Sequence, residues 1–274
     1  MKLAVLGSGS GGNATVFENG GRYFMVDAGL SSRQLVKRME FLGVNPEKLE
    51  GILLTHEHGD HIQGLTVFAR KHAVPVYTTA LTQEAIREKV PAVSQWKLFA
   101  AGQEFEVAGV EVTSFSIPHD AVDPVGFVFE SSGQKAGVLT DLGYVTPVVQ
   151  EKLAGVRALF LEANYCEQML EADPNRPWSL KQRISSRHGH LSNEQARDLV
   201  RELMPGGLER VVLGHLSRDC NRGEVVEGVF SGLELKDLVV ARQCEPTRWV
   251  RLADIPRVIG KGGQLEFGDF ALAG

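Results

Sequence analysis

The chain has 274 residues, 43% of them hydrophobic, and a net charge of −5 at neutral pH. That length predicts one large α/β domain, and that charge excludes a basic arm working along an extended nucleic-acid footprint. Three scattered cysteines, Cys166, Cys220 and Cys244, exclude a disulfide framework and a Cys-based zinc ribbon.

KLAVLG, ATVFE and RYFMVDAG read as strands, separated by Gly-rich turns at Gly7 to Gly12 and at Gly20-Gly21. With the first strand starting at Lys2 and no apolar run of membrane-spanning length, the expectation is a cytoplasmic protein without signal peptide or membrane span. SSRQLVKRMEFLG reads as a helix capped by Ser31 or Ser32, striped by Leu35, Met39 and Leu42, and stopped at Gly43. GILLTH is a buried strand, IQGLTVFARKH a helix, PVYTT a strand, and TQEAIREKV a helix with Thr82 as its cap. From Trp96 to Val138, short alternating segments predict antiparallel strands. A helix over 147–154, the strand ALFLEAN, the helix SNEQARDLVRELM capped by Ser192 or Asn193, the strand RVVLGH and the helix NRGEVVEGVFSGL follow. LVVARQ and RWVRL are expected to close the sheet. The domain is expected to span residues 1–253, with a Gly-rich tail at 254–274. Two β-rich halves, each with its own helices, predict a layered sandwich with helices outside.

Gly7, Gly9 and Gly12 match G-x-G-x-x-G, with Asp27 downstream. A dinucleotide site needs a helix to begin at the third glycine. NATVFENGGRYFMVD is β-forming instead, so a flexible hairpin turn at the edge of a site is expected.

In ILLTHEHGDHIQG, residues 52–64, an apolar run leads straight into His56, His58, Asp60 and His61. Such groups are costly to bury unless something pairs with them. His56 and His58 alternate along an extended end, while Asp60 and His61 turn with the loop toward a second point. Imidazole and carboxylate suit zinc, manganese or iron. One ion needs three protein ligands plus water, and this chain offers more, which suggests two. Further donors are expected at other strand ends: His119 in SIPHD, Asp141 in VLTDLG and His215 in VVLGH. His72, on a basic helix face, reads as solvated, and His188 is a weaker candidate than its neighbour His190.

THEHGDH, PHD, TDLG and LGHLS make the chain resemble the metallo-β-lactamase superfamily. VLGSGSGGNATVFE, VDAGLSSRQL, PVGFVFE, LEANY, GHLSNEQA and LGHLSRDCN look more closely like its YycJ/WalJ exonuclease branch, related to RNase Z and RNase J. The resemblance implies an αββα sandwich and a 5′-to-3′ DNA exonuclease linked to mismatch repair. It implies that His56, His58 and His119 hold one divalent ion, that Asp60, His61 and His215 hold another, and that Asp141 bridges. Asp27 would orient the loop. Glu162 and His190 fit positions that RNase Z relatives fill with a Glu and a His. His190 would then protonate the departing sugar oxygen, with Glu162 orienting it or raising its pKa.

Two ions about 3.5–4 Å apart suit a phosphodiester, arming a bridging hydroxide and drawing charge from the phosphoryl oxygens. Asp60 is a further acceptor for that water's proton. For the nucleic acid, Arg176, Trp178, Lys181, Arg183 and Arg187 lie in an acid-free stretch from Pro174 to His190, and Arg218 and Arg222 flank the loop after His215. These predict a small footprint at a DNA strand end, with Trp178 stacking on a base. The backbone amides of residues 8 to 13 are a weaker phosphate candidate. The competing reading is a hydrolase of a thioester, lactone or cyclic phosphodiester on the same fold, which would not need residues 176 to 187. A vestigial site is disfavoured by the complete ligand set, and a di-iron oxidoreductase by His58 where a Glu is wanted.

Overall fold

Leu3 and Val5 of KLAVLG point into a core shared by two sheets, while Ala4 and Leu6 point to a layer of helices. A strand buried on both faces reads as one apolar run, and this one does. The computed structural model describes residues 1–252. The expected tail at 254–274 lies outside the described residues.

The first half supplies β1 (Lys2–Gly7), β2 (Ala14–Asn19), β3 (Arg22–Val26), α1 (Ser32–Phe41), β4 (Leu49–Leu53), α2 (Gly59–Ile62), α3 (Leu65–His72), β5 (Val76–Thr79), α4 (Ala80–Ile86) and β6 (Trp96–Phe99). The second half supplies β7 (Glu104–Val107), β8 (Val110–Ser116), β9 (Val125–Ser131), β10 (Gln134–Leu139), α5 (Pro147–Lys152), β11 (Val156–Glu162), α6 (Glu167–Ala172), α7 (Trp178–Ile184), α8 (Asn193–Leu203), β12 (Arg210–Gly214), α9 (Gly223–Phe230), β13 (Asp237–Val240) and β14 (Val250–Arg251). One sheet runs β14-β1-β2-β3-β4-β5-β6, the other β13-β12-β11-β10-β9-β8-β7.

Between the sheets lies an aromatic centre, where Phe17, Phe24 and Phe129 pack with centroids 4.6–5.0 Å apart. Leu35 and Met39 of α1, with Leu65 and Phe68 of α3, cover the outer face of the first sheet. Val149, Leu199, Val200 and Phe230 cover that of the second. The result is the expected αββα sandwich. Ser31 caps α1, and Ser192 caps α8 through a capping box with Gln195.

The structure corrects several details. Thr79, not Thr82, caps α4, because β5 runs straight into the helix. β6 is not part of the antiparallel half; it adds parallel to β5 in the first sheet. LVVARQ and RWVRL close different sheets: β13 pairs with β12, and β14 returns to β1. The basic stretch before His190 contains α7, a helix that the sequence reading did not predict. His72 is not simply solvated, since its ring packs 4.5 Å from Phe68 and its Nδ1 lies 2.7 Å from Glu47 Oε1. No helix among the described residues is long and apolar enough to cross a membrane.

Candidate metal centre

The loops after β3, β4, β8, β10, β11 and β12 meet at one end of the sandwich, and each brings one or more of the chemistry-bearing side chains. After β4 the chain bends at Thr55 and at Glu57, is extended at His58 and then turns into α2, which carries Asp60 and His61 in its first turn. Asp27, Asp141 and His215 adopt φ of 60°, 55° and 54°. Non-glycine residues rarely accept that region, and when they do they cluster at functional sites.

The predicted donors converge. Ligand atoms of His56, His58 and His119 lie within 4.8 Å of one another, as do those of Asp60, His61 and His215. Asp141 stands between the two sets. Its Oδ2 is 3.2 Å from His61 Nε2, and its Oδ1 is 3.4 Å from His215 Nε2 and 3.7 Å from His119 Nε2. His190 falls in a further set with Asp141 and His215.

The partners of the other ring nitrogens fix how these imidazoles point. His61 Nδ1 donates to Asp27 Oδ2 at 2.8 Å, and His119 Nδ1 to the Gly189 carbonyl at 3.1 Å. His56 Nδ1 lies 3.0 Å from Thr55 Oγ1, which is itself held by Asp27. Asn164 Nδ2 donates to the His215 carbonyl and sits 2.9 Å from its Nδ1. Asp27 thus grips His61 directly and His56 through Thr55.

His56 is fully buried, and its Nε2 has no hydrogen-bond partner. An unpaired buried nitrogen is costly, and a cation in line with it removes the cost. Burial first, then the neighbouring His61, holds the His56 pKa well below its ordinary value, so the ring is a neutral donor. Asp141 resists protonation: burial opposes its charge, but His215, His61 and His56 outweigh burial and hold it well below the usual carboxylate range. These donors fit a divalent metal of the zinc, manganese or iron kind.

Glu162 is fully buried at the end of β11. Its Oε1 accepts the amides of Leu142 and Leu191, and its Oε2 lies 3.0 Å from His190 Nδ1. Burial would lower the His190 pKa, but the charge and hydrogen bond of Glu162, with Asp141 and Asp120 nearby, push it up to about 9.

The turn at residues 8 to 13 is tied down by hydrogen bonds. Ser8 Oγ and the Gly9 amide both donate to Asn13 Oδ1, and Ser8 Oγ accepts the His215 amide at 2.7 Å. The amides of Ser8, Gly9, Gly11, Gly12 and Asn13 are all taken by protein acceptors, so the turn is not a phosphate nest. Asn13 Nδ2 instead supports Asp60 Oδ2 at 3.3 Å.

Thr55, Asn13 and Asn164 escaped the sequence reading. So did Glu57, whose Oε1 accepts the Val122 amide and so anchors the loop after His119. The available signal was adjacency: Thr55 precedes His56, and Asn164 lies in LEANY beside Glu162.

A Cβ on Gly29 would stand 1.6 Å from the Asp60 carbonyl oxygen. Gly29→Ala is therefore expected to displace the Asp60–His61 turn. The melting temperature should fall as for an overpacking cost of about 1–3 kcal/mol, and metal bound per chain should drop in elemental analysis. An unchanged melt and full metal content would show that the turn yields freely.

The expected nucleic-acid residues separate. Arg176 pairs with Asp173 and Asp219, and Arg183 with Asp120. Arg187 lies over the Tyr144 ring at 4.8 Å, and Lys181 Nζ donates to the Glu171 carbonyl. Leu180, Arg183 and Ile184 line the metal cleft, whereas Trp178 and Lys181, on the other face of α7, line a separate cavity with Tyr165 and Gln195. Trp178 is 68% exposed but faces away from the cleft. Arg218 and Arg222 are exposed, with no side-chain partner among the described residues.

A family model for a beta-lactamase superfamily domain matches residues 22–216. The chain is 34% identical over 248 residues to the exodeoxyribonuclease YycJ of Bacillus anthracis, covering 89% of this chain and 94% of that protein. It is 34% identical over 230 residues to the exodeoxyribonuclease WalJ of Streptococcus pneumoniae serotype 2, covering 82% and 85%. Among solved structures, Zn2+-bound PqqB from Methylobacterium extorquens shares the fold with a TM-score of 0.68 at 18% identity, covering 90% of this chain and 99% of that one.

Proposed function

Because the chain belongs to the YycJ/WalJ branch of the metallo-β-lactamase superfamily, a metal-dependent hydrolase, we propose that it is a two-metal phosphodiesterase that shortens DNA from the 5′ end. The observation that carries the two-ion reading is Asp141, whose oxygens reach imidazoles of both donor sets. His56, His58 and His119 hold one ion, and Asp60, His61 and His215 the other. Once bound, the ions supply Lewis-acid stabilisation of phosphoryl charge and an activated water as nucleophile.

The chain's own residues do the rest. Asp60 lines the cleft with a partly exposed carboxylate and accepts a proton from the attacking water. His190, also on the cleft wall, is turned by Glu162 through Nδ1, which leaves Nε2 to donate a proton to the departing sugar oxygen. The free thiols Cys166, Cys220 and Cys244 suit a reducing compartment such as the cytoplasm. DNA as substrate rests on the kinship with proteins named exodeoxyribonucleases, and the 5′ polarity on the resemblance of the sequence motifs to the YycJ/WalJ branch.

The test is incubation of the Mn2+- or Zn2+-loaded protein with end-labelled DNA and RNA of either polarity. Stepwise shortening of DNA from its 5′ end is expected. Shortening from the 3′ end, or of RNA alone, would overturn the polarity or the substrate. Turnover of small esters with both polymers left intact would replace the nuclease reading with a small-molecule one.

A further inference from the structure

Beside the metal cleft lies a second cavity of about 340 Å³, within the range of ligand pockets. Its wall carries Ser8, Ser10, Ser217, Arg218, Arg222 and Arg242 among its polar residues. Ser10 and Ser217 line the metal cleft as well, so the two spaces adjoin. The floor is hydrogen-bonded: Gln243 Oε1 accepts the Gly11 amide at 2.7 Å, and its Nε2 donates to the Gly12 carbonyl at 2.8 Å. Arg218 reaches over this floor, its guanidinium 3.7 Å from where a Gly11 Cβ would stand. Arg242 is engaged with Glu245 at 3.3 Å, and Glu224 is the acid on the wall.

The contrast with the opposite rim is the argument. On α7 and its approach, Arg176 and Arg183 are neutralised by Asp173, Asp219 and Asp120. On the cavity side, Arg218 and Arg222 have no such acid on their guanidinium groups among the described residues. An uncompensated pair of arginines on the wall of this cavity suits a phosphate, which guanidinium groups recognise through paired N–H donors. We infer that this cavity is a phosphate subsite that holds a phosphate of the nucleic-acid strand next to the one being cleaved. The inference rests on the phosphodiesterase reading and assigns strand-holding to the loop after β12 instead of α7.

Both arginines are exposed, so Arg218→Ala with Arg222→Ala should leave the fold intact, which circular dichroism checks. The double variant is assayed on a single-stranded oligonucleotide over a range of salt concentrations, and on bis(p-nitrophenyl) phosphate, which has no second phosphate. On the oligonucleotide, kcat/KM should fall about tenfold for each guanidinium lost, and the slope of log affinity against log salt should shrink by about 0.7 per charge. Turnover of bis(p-nitrophenyl) phosphate should not change.

Comparing 5′-phosphorylated with 5′-hydroxyl strands identifies the phosphate. A loss confined to the former assigns a terminal monoester, and an equal loss on both assigns a backbone diester. An unchanged kcat/KM and salt slope in the double variant, with wild type cleaving normally, would overturn the subsite alone. A wild type that cleaves only the small diester would overturn the nuclease reading, and the subsite with it.

Discussion

Asp141→Ala is expected to abolish turnover, with kcat/KM down on the order of a thousandfold or more, the several kcal/mol that metal ions contribute to the transition state. The reason is geometric. This buried carboxylate contacts His61 and His215 at 3.2 and 3.4 Å and His119 at 3.7 Å, so its loss removes a donor from both sets at once. Asp60 provides the contrast. Its carboxylate is partly exposed and contacts His215 and His61, both of the second set. Elemental analysis should therefore find Asp60→Ala retaining close to one ion per chain and Asp141→Ala retaining less. Asp60→Ala should also be inactive, since a two-ion mechanism fails with either ion missing. Asp141 sits at φ 55°, where alanine is strained by about 1 kcal/mol, too little to unfold a domain with this core. A circular dichroism spectrum like that of the wild type is expected. Full activity in either variant, or two ions tightly held by Asp141→Ala, would refute the two-ion scheme.

Much of this centre was legible because a strand that ends in a ligand interrupts an apolar run with a group that has no reason to be buried. His56, His119, Asp141 and His215 all carry that mark, and the structure brings them together. What the sequence hid was of two kinds. Supporting residues such as Thr55 and Asn164 look like ordinary polar residues at strand ends, and only the fold reveals which ring each one holds. Charge compensation was hidden as well. No acid interrupts Pro174 to His190, yet Asp173, Asp219 and Asp120 come from outside that stretch to pair with Arg176 and Arg183. Helix α7 was missed for a related reason. Its two faces line two cavities and none of its residues is fully buried, so it has no apolar stripe to betray its period, and Pro177 at its N-terminus offers no side-chain cap. β6 was misassigned because local alternation carries no information about which sheet a strand joins.

His190→Ala is expected to slow hydrolysis of an unactivated phosphodiester by about 10²–10⁴-fold, the usual contribution of a positioned proton donor, while strand binding changes little. The same variant should be nearly as fast as wild type on thymidine 5′-(p-nitrophenyl phosphate), whose leaving group departs without a proton. This comparison separates two roles that the geometry leaves side by side, because His190 also stands within one donor set with Asp141 and His215. If it were a ligand, His190→Ala would lose metal and the activated ester would not rescue it. Glu162 extends the test. Glu162→Ala would strand the buried amides of Leu142 and Leu191 at about 1–3 kcal/mol each, and so confuses stability with chemistry. Glu162→Gln keeps an oxygen for those amides and removes only the charge that holds the proton on His190. It should slow the natural diester, spare the activated ester, and add little to His190→Ala in the double variant, since residues acting as one unit are not additive. Fully additive losses, or no recovery on the activated ester, would mean that Glu162 and His190 do not act together as the proton donor.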